Sequence, residues 1–312
     1  MKVVVTGGAG FIGANLCRRL AVEPGLDEVV ALDDLSTGRR ENLAGLDATL
    51  VEGSILDDSI LDATLAGADA VVHLGARPSV PLSVADPVPS HVVNATGTLQ
   101  VLEAARRAGS PLVVVASSSS VYGANPSLPK HEGLATRPMS PYAASKLATE
   151  SYALAWQYSY RLPVMAYRFF NVFGPLQPPG HAYAAVVPAF VAAALDGQAV
   201  PVHGDGRQTR DFTYVGTVAE VLTRTVTGRL TSPEPVNLAF GSRVDLLTVV
   251  DLLGELLGRS LEVEHLAPRV GDVRDSQADG SKVRALFPDL EPVSLAEGLR
   301  VTIDWMASTL DG

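Results

Sequence analysis

The sequence predicts an α/β fold, in which a doubly wound parallel sheet is joined to a smaller, mixed α/β C-terminal domain. In the first half of the chain, short runs rich in β-branched residues alternate with longer amphipathic segments, which is the pattern of βαβ units. These runs are almost wholly apolar, as in strands that are buried on both faces of a sheet. After about residue 168, prolines and glycines break the rhythm and the helical segments become widely spaced.

The predicted strands are 3–5, 28–32, 48–51, 70–73, 112–116 and 164–168. The predicted helices are 11–20, 59–65, 92–107, 142–160, 186–195 and 247–257. We predict that residues 1–168 form the first domain and that residues from about 211 to 240 return to it. The second domain then comprises about 169–210 and 241–312.

Composition excludes several classes of protein. With 47% hydrophobic and 19% charged residues, the 312-residue chain is too apolar to be disordered. Its net charge of −10 includes no block of basic residues, so we expect no nucleic-acid partner, although a few arginines can still bind a small anion. The opening apolar run is too short for a signal peptide, and the longest apolar stretch is interrupted by Pro188. We therefore expect a cytoplasmic protein without a membrane partner.

Cysteine and histidine usage predicts neither a disulfide nor a metal site. Cys17 is the single cysteine and falls in a predicted amphipathic helix, where core packing is its expected role. The six histidines show no metal-ligand spacing. His73 ends a predicted buried strand, so we expect it to be a packed, hydrogen-bonded side chain.

A glycine-rich segment between the first strand and the first helix predicts a Rossmann-type dinucleotide site. Residues 2–13 read KVVVTGGAGFIG, and Gly7 or Gly8 fits the motif together with Gly10 and Gly13. The glycines allow a tight turn and let the bare backbone approach a pyrophosphate. The N-terminus of the following helix then presents free N–H groups to the phosphates.

Asp33 ends the next predicted strand, twenty positions after Gly13. A carboxylate there accepts the ribose hydroxyls and repels a 2′-phosphate, which favours NAD over NADP. Arg39 and Arg40 lie close enough in sequence to weaken that preference, unless they belong to a solvated turn.

A second constellation predicts acid–base chemistry. Ser140 and Pro141 suit the start of a helix, which places Tyr142 and Lys146 four residues apart on one face. A neighbouring ammonium and the positive end of the helix predict a lowered phenol pKa, which makes Tyr142 a usable general base. This spacing is common by chance, but a serine run at 117–120 precedes it, at the end of a predicted strand.

The motifs VTGGAGFIG, SSSSVYG, SPYAASK and RFFNVFGP, with Asp33 among them, stand in the order of a known family. The chain resembles the extended short-chain dehydrogenase/reductases, and within them the NAD-dependent nucleotide-sugar epimerases and dehydratases. The resemblance covers essentially the whole length, since GDGRQTRDFTYV and RVGDVRDSQAD also match this group.

The resemblance implies roles for individual residues. Tyr142 would be the catalytic base, Lys146 would bond the nicotinamide ribose, Ser118 would bond the sugar 4-hydroxyl, and Ser120 would supply a second hydroxyl. The implied cofactor-binding residues are Gly7, Gly10, Phe11, Ile12, Gly13, Asp33, Leu74, Ala76, Tyr142, Lys146 and Phe170. The implied substrate-binding residues are Ser79, Ser118, Asn171, Arg210, Arg269 and Ser276, of which the two arginines would clamp the diphosphate.

Two departures from the family pattern affect this assignment. Many relatives have an aspartate, which contacts the adenine amine, where this chain has Ser54. The sugar 4-epimerases often have a lysine near residues 73–81, where this chain has Arg77 and Pro78, so no lysine is assigned a role there.

The serine run favours one reaction within the family. Similar 4,6-dehydratases have Thr-Asp-Glu before V-Y-G, and similar decarboxylases keep a glutamate there, whereas positions 118–120 of this chain are all serine. The resemblance therefore implies NAD-dependent 4-epimerisation of a UDP-hexose through a transient 4-keto sugar. UDP-glucuronate 4-epimerisation, dehydration or decarboxylation, and non-catalytic NAD binding are the alternatives.

Two finer predictions concern the sugar and the assembly. Ser276 matches a position where glucose-restricted epimerases have a tyrosine, so a small residue there admits UDP-N-acetylglucosamine beside UDP-glucose, unless it is simply a polar loop residue. Trp156 and Tyr160 share a face of the helix that begins at Tyr142. Relatives pair this helix with the one at 92–107 in a four-helix bundle, which implies a homodimer; packing within a monomer gives the same apolar stripe.

Overall fold

A computed structural model of the chain describes residues 1–179, 185–268 and 274–310. The strands are β1 (Lys2–Thr6), β2 (Glu28–Asp33), β3 (Thr49–Glu52), β4 (Ala70–His73), β5 (Leu112–Ser118), β6 (Val164–Phe169), β7 (Asn171–Phe173), β8 (Val200–His203), β9 (Thr209–Arg210), β10 (Phe212–Tyr214), β11 (Val236–Leu238), β12 (Val244–Asp245) and β13 (Val263–Leu266). The helices are α1 (Phe11–Leu20), α2 (Asp58–Leu65), α3 (Val80–Ala85), α4 (Pro87–His91), α5 (Gly97–Arg107), α6 (Pro141–Tyr160), α7 (Val186–Leu195), α8 (Val215–Thr227), α9 (Leu246–Leu257), α10 (Ser281–Leu286) and α11 (Leu295–Leu310). Short 3₁₀ turns span Arg40–Leu43 and Ser119–Tyr122, and a π-helical turn spans Val92–Thr96.

A seven-stranded parallel sheet forms the centre of the fold, in the order β11-β6-β5-β4-β1-β2-β3. The chain order reverses between β1 and β4, so the sheet is doubly wound, and the predicted fold class is confirmed. Each of the six predicted strands lies in this sheet. Its seventh strand, β11, pairs with β6 and was not predicted, because three residues are too few for a periodic pattern.

Apolar side chains cover both faces of the sheet. Val3 and Val5 of β1 point into a cluster shared with α1, α8 and α10, while Val4 points into the opposite cluster with α2, α5 and α6. The period of two along a strand sends neighbouring valines to opposite faces, so an all-apolar strand needs helices on both sides. Cys17 lies in the first of these clusters, fully buried, as predicted.

A third apolar cluster lies among the later segments. It draws on α7, α9 and α11 and on the strands β7, β8, β10, β12 and β13, which form small two-stranded sheets outside the large one. The division into two discontinuous domains stays a prediction, which this cluster and the return of β11 to the main sheet support.

Two helix starts show how local sequence positions the site. Ser140 caps α6 by accepting a hydrogen bond from the Ala143 N–H at 3.1 Å, with Pro141 in the first turn, as predicted. The predicted helix at 92–107 is instead a π-helical turn followed by α5. The wider turn contains Asn94, which is fully buried and bonds the Arg77 N–H (2.7 Å) and the Ser145 hydroxyl (2.9 Å). These partners lie outside the helix, so its own sequence does not predict the wider turn.

Within the three described ranges, no helix is both long enough and apolar enough to cross a membrane.

Candidate active site

The carboxyl ends of the central strands bring the predicted site residues to one edge of the sheet. The glycine-rich loop follows β1, Asp33 ends β2, Leu74 and Ala76 follow β4, Ser118 ends β5, and Phe170 follows β6. All seven strands are parallel, so these ends share one edge, and the reversal of strand order beside β1 opens a crevice there.

The loop after β1 is formed by main chain packed too closely for side chains. Gly7 has a φ of +68°, and a Cβ there would lie 2.8 Å from the backbone nitrogen of Gly75 in the loop after β4. A Cβ at Gly13 would lie 2.0 Å from the carbonyl oxygen of Gly7. These contacts hold α1 directly against the end of β1, which is the close approach that a pyrophosphate site requires.

The N-terminus of α1 is left open to an anion. Gly10 occupies the cap position, and among the described residues no side chain caps it. The first turn, with Phe11 and Ile12, has no acidic residue, while Arg18 and Arg19 lie in the last turn. The first N–H groups of the helix and its positive end are therefore available for phosphate oxygens.

Asp33 supports the glycine-rich loop as well as the predicted ribose site. Its carboxylate accepts hydrogen bonds from the backbone N–H groups of Ala9 (2.9 Å) and Leu35 (2.8 Å). Burial raises the pKa of this carboxyl, and the backbone bonds oppose the shift. Two carboxylate oxygens have about four acceptor positions, so acceptor capacity remains for ribose hydroxyls. The sequence did not predict the supporting role, because Ala9 and Asp33 are distant in the chain.

The residues present fit NAD. The glycine-rich loop admits a pyrophosphate, α1 presents free N–H groups, and Asp33 lies at the end of β2. Of the two arginines whose nearness in sequence could weaken the preference for NAD over NADP, Arg40 forms an ion pair with Glu52 and Arg39 is exposed. Gly7, Gly10, Phe11, Ile12 and Gly13 would surround the diphosphate, with Asp33 at the adenosine ribose and Leu74, Ala76 and Phe170 near the nicotinamide half.

Two of the predicted catalytic hydroxyls and the predicted phenol meet at the end of β5. The Tyr142 phenol is hydrogen-bonded to the side chain of Ser118. The Ser118 hydroxyl also accepts hydrogen bonds from the backbone N–H (3.2 Å) and the hydroxyl (2.9 Å) of Ser120. The Ser83 hydroxyl accepts a hydrogen bond from the Tyr142 N–H at 3.0 Å and fixes α3 to the first turn of α6. No sequence motif marked Ser83.

The sequence analysis predicted a lowered pKa for Tyr142, and for the chain without cofactor or substrate this prediction is wrong. Burial raises the pKa of the phenol, and the hydrogen bond with Ser118 opposes this more weakly. Burial also lowers the pKa of the Lys146 ammonium to about 8. Both groups lose water at the start of α6, and desolvation disfavours their charged forms.

His73 is a packed, hydrogen-bonded side chain, as predicted. Its ring nitrogens lie 2.7 Å from the Thr6 hydroxyl and 3.0 Å from the Thr98 hydroxyl. Burial and the charge of Lys146 lower the pKa of His73 to about 3, so the ring is neutral. The described part of the chain contains no group of three or more histidine, cysteine or acidic side chains placed to hold a metal ion.

Three of the predicted substrate-binding residues gather around β9 and the residue that follows it. The backbone N–H and side-chain amide of Asn171 donate to the carbonyl of Asp211 (3.1 and 3.4 Å). Arg210 is buried and donates to the carbonyls of Thr209 (2.8 Å) and Arg274 (3.2 Å). The N–H of Ser276, also buried, donates to the Thr209 carbonyl at 3.1 Å.

The remaining predicted positions have local structural roles or lie elsewhere. The Ser79 hydroxyl caps α3 by accepting from the Leu82 N–H at 3.2 Å. The Ser54 hydroxyl accepts from the Leu56 N–H at 3.2 Å. Arg269 lies outside the described residues.

Asp211 is a buried carboxylate that the sequence analysis missed. It is fully inaccessible and accepts hydrogen bonds from the N–H groups of Gly241 (3.1 Å) and Ala278 (2.9 Å) and from the Ser242 hydroxyl (2.9 Å). Burial raises its pKa to about 6. Its position directly after Arg210 was the available signal. It fastens the segments on either side of the predicted sugar site to each other.

Comparisons with known proteins agree with this geometry. The NAD dependent epimerase/dehydratase family matches residues 3–239. The UDP-glucose 4-epimerase of Mycolicibacterium smegmatis is 36% identical over 98% of each chain. A solved UDP-N-acetylglucosamine 4-epimerase from Methanobrevibacter ruminantium, in complex with UDP-N-acetylmuramic acid, is 35% identical, with a TM-score of 0.92 and 99% and 98% of the two chains covered. The Thermus thermophilus UDP-glucose 4-epimerase, solved with NAD, is 36% identical, with a TM-score of 0.88 and 98% and 99% covered.

Relatives with other names are nearly as similar. A dTDP-glucose 4,6-dehydratase of Streptomyces niveus is 32% identical over 98% of this chain and 92% of its own. A probable UDP-glucuronate 4-epimerase of Rhizobium meliloti is 30% identical over 98% and 96%. The family match and the near-complete coverage confirm both the resemblance and the predicted cofactor. The chain belongs to the NAD-dependent epimerase/dehydratase family.

Proposed function

We propose that the protein is a UDP-sugar 4-epimerase that interconverts UDP-hexoses differing at C4. The observation that carries the proposal is the contact between Tyr142 and the serine run. At the end of β5, the hydroxyl of Ser118 meets the phenol and the hydroxyl of Ser120 meets Ser118, with serine again at position 119. Elimination of water across C5 and C6 needs an acid and a base in addition, and this run supplies neither. The similarity of the chain to a UDP-glucose 4-epimerase and to a UDP-N-acetylglucosamine 4-epimerase supports the same reaction.

The residues of the site divide the work of removing and returning a proton. NAD, when bound, supplies reversible oxidation of the sugar carbon. Ser118 orients the 4-hydroxyl toward Tyr142, which as the phenolate accepts its proton and later returns one. Because burial raises the phenol pKa in the chain without cofactor, this role requires that the positive charge of bound NAD favours the phenolate. To Lys146, one helical turn away, we assign the bond to the nicotinamide ribose. The buried start of α6 excludes water, which protects the 4-keto sugar between the two proton transfers.

The second half of the reaction requires the keto sugar to present its opposite face. The sugar can turn about its bond to the diphosphate only if the diphosphate stays anchored. We assign this anchoring to Arg210 together with Arg269, because guanidinium groups pair bidentately with phosphate oxygens. Asn171 bonds the carbonyl of Asp211, the residue that follows Arg210, and we assign it to the same sugar diphosphate site.

We infer that both glucose and N-acetylglucosamine derivatives are accepted. Ser276 is buried beside Thr209, and its side chain is much smaller than the tyrosine that the family resemblance implies for glucose-restricted epimerases. Introducing that ring with Ser276→Tyr should reduce kcat/KM for the 2-acetamido sugar by at least about tenfold and leave the 2-hydroxy sugar within a few fold. Parallel losses for both sugars would contradict the assignment of Ser276.

The first experiment tests the reaction and the sugar together. Purified protein is incubated separately with UDP-glucose, UDP-N-acetylglucosamine and UDP-glucuronate, without added cofactor, and the products are resolved by anion-exchange chromatography and proton NMR. We expect 4-epimers of the first two sugars, and we expect Tyr142→Phe to lower the rate by about a hundredfold or more. A 4-epimer from UDP-glucuronate alone would favour the glucuronate epimerase.

Other products would overturn the proposal. A 4-keto-6-deoxy sugar would show a dehydratase, and a pentose with carbon dioxide would show a decarboxylase. No product even after NAD is added would mean that the substrate is another nucleotide sugar or that the protein only binds.

We also propose that the protein is a homodimer formed through α5 and α6. Tyr152 and Tyr160 on α6 are 39% and 50% exposed and contact the Trp156 ring from either side, which leaves aromatic surface on one helix face for a partner helix. Trp156 itself packs within the chain, donating to the Glu103 carboxylate of α5 at 2.8 Å. Light scattering should give the mass of two chains, and Tyr152→Asp should reduce it to one. A wild-type monomer would contradict the proposal.

A further inference from the structure

Glu150 is a buried acid on the helix that carries the predicted catalytic pair. It lies one turn beyond Lys146 on α6 and is 4% exposed. Its carboxylate accepts a hydrogen bond from the Ser117 hydroxyl at 2.8 Å. It also accepts two from Arg168, through Nε at 2.9 Å and Nη2 at 2.7 Å. One carboxylate thereby joins α6 to β5 and to β6.

Arg168 is held in place on its other sides as well. Its guanidinium lies over the ring of Tyr122, 4.7 Å from the centroid, and its Nη1 donates to the carbonyl of Glu132 at 3.3 Å. The Tyr122 hydroxyl donates to the Asn237 amide oxygen at 2.6 Å, in β11. The arginine therefore has a fixed orientation and holds Glu150 in one geometry.

The location of this ion pair points to more than stabilisation. Removing a carboxylate and a guanidinium from water costs free energy, and apolar side chains of similar volume often stabilise a fold equally well. Here the pair meets β5 at Ser117, the residue directly before Ser118, and the Ser117 hydroxyl also lies 3.5 Å from the Lys146 carbonyl. Ser117 therefore contacts the helix of Tyr142 from the strand end that carries Ser118.

We propose that Ser117, Glu150 and Arg168 form a positioning unit that sets the separation between Ser118 on β5 and Tyr142 on α6. None of the three touches the reacting atoms, so they act through these two residues. The proposal rests on the proposed function for its effect on catalysis. Since proton transfer requires hydrogen-bond distance, a small shift of α6 against β5 lowers the rate of the chemical step and leaves substrate binding nearly unchanged.

Ser117→Ala tests the unit with little risk to folding, because it removes one hydroxyl and adds no atoms. We expect kcat to fall by roughly tenfold while KM stays within about twofold. The matched control is Tyr167→Phe, which removes a buried hydroxyl bond to Thr225 (2.7 Å) from the opposite face of the sheet, in the strand that carries Arg168. We expect this control to lower the melting temperature and to leave kcat unchanged.

A second variant shows whether Ser117 acts through the ion pair. Glu150→Gln keeps the shape of the side chain and removes its charge. If the residues act as one unit, the double variant that combines Ser117→Ala with Glu150→Gln should lose little more kcat than Glu150→Gln does by itself. If the fold losses in kcat of the two single variants multiply in the double variant, the proposal of one unit is overturned. If Glu150→Gln does not fold, the comparison of Ser117→Ala with Tyr167→Phe decides the question.

A spectroscopic readout separates this proposal from the reaction assigned to the protein. Ultraviolet titration of Tyr142, isolated by subtracting the Tyr142→Phe spectrum, follows the phenol directly. Because the Ser118 bond lowers the phenol pKa, loosening it in Ser117→Ala should move the Tyr142 transition to higher pH. An unchanged transition, or a kcat of Ser117→Ala that stays at the wild-type value as expected for Tyr167→Phe, would overturn the proposal. If the wild-type protein epimerises no UDP-sugar, the proposed function fails, and the titration by itself decides the positioning role.

Discussion

The cofactor edge of the sheet and the predicted sugar-binding segments are built in different ways. At the cofactor edge, one continuous stretch of main chain forms the loop, and the space comes from absent Cβ atoms at Gly7 and Gly13. At the predicted sugar side, Asn171, Arg210 and Ser276 come from distant segments. The main-chain carbonyl of Asp211 holds Asn171, and its buried carboxyl group holds Gly241 and Ala278. The first region depends on backbone geometry, and the second depends on one buried acid.

The two regions also differ in how they respond to protons. His73 lies beside the cofactor edge, and its pKa is lowered to about 3 by burial and by the charge of Lys146. Asp211 lies at the sugar side, and its pKa is raised to about 6 by burial. Burial disfavours the charged form in both cases, so His73 stays neutral down to about pH 3 and Asp211 takes up a proton below about pH 6. A fall in pH therefore acts on the two regions in opposite directions.

The largest effect is expected from Gly13→Ala at the cofactor edge. The new Cβ would lie 2.0 Å from the Gly7 carbonyl oxygen, so the helix must move away from β1. We expect loss of bound NAD and a free energy of unfolding lower by about 4 kcal/mol or more. NAD content after purification and denaturant unfolding measure the two effects.

A matched glycine variant separates close packing from ordinary backbone strain. Gly45 has a φ of +72° and no atom near the site of a Cβ. Gly45→Ala should cost only about 1 kcal/mol and leave NAD content unchanged. Equal effects of the two variants would show that close backbone contact is not what defines the cofactor edge.

Removing Asp211 should damage the sugar side selectively. Asp211→Ala leaves the N–H groups of Gly241 and Ala278 without their acceptor, at a cost of about 3 kcal/mol in the free energy of unfolding. The segments around Arg210 then lose their common anchor, so we expect KM for the UDP-sugar to rise by about tenfold or more. NAD content should stay at the wild-type level. Loss of NAD together with sugar binding would contradict the independence of the two regions.

Asp211→Asn is predicted to keep the anchor and to remove its titration. The amide oxygen can accept from Gly241 and Ala278, while the amide NH₂ donates to the Ser242 hydroxyl, which can rotate. The raised pKa means that folded wild-type protein binds this proton more tightly than unfolded protein does. Asp211 therefore contributes stability that grows as pH falls from about 6 toward 4. As pH falls from about 6 to 4, the free energy of unfolding of Asp211→Asn should therefore drop by about 3 kcal/mol relative to that of the wild type.

Titration of His73 changes how the free energy of unfolding depends on pH in both the wild type and Asp211→Asn. It leaves the difference between these two curves unchanged. Its lowered pKa means that the unfolded chain takes up the proton first, so its contribution to stability is lost as pH falls from about 6.5 toward 3. The wild-type curve between pH 4 and 6 thus combines two opposing slopes. Denaturant unfolding of wild type and Asp211→Asn at matched pH isolates the Asp211 part. Parallel curves would show that Asp211 does not take up its proton in this window.

The same contrast explains what could be predicted from sequence. The glycine-rich loop and the six apolar strands are local patterns, so their positions followed from spacing and periodicity. Asp211 and Glu150 were missed because their partners lie far away in the chain, and no spacing rule connects Glu150 with Arg168 or Asp211 with Ala278. The phenol pKa of Tyr142 was predicted in the wrong direction because the charge of Lys146 is visible in the sequence, whereas the loss of water at the start of α6 is not.

The smallest expected effect concerns the adenine end of the cofactor edge. Ser54 stands where many relatives have an aspartate, and its hydroxyl accepts from the Leu56 N–H at 3.2 Å. Ser54→Asp can keep this turn, because aspartate forms the same local bond, and it adds a second oxygen for the adenine amine. We expect NAD to bind about threefold to tenfold more tightly, which is about 1 kcal/mol. Ser54→Asn provides the uncharged control and should gain less. Calorimetry on protein stripped of cofactor measures the change, and weaker binding by Ser54→Asp would place the adenine away from this residue.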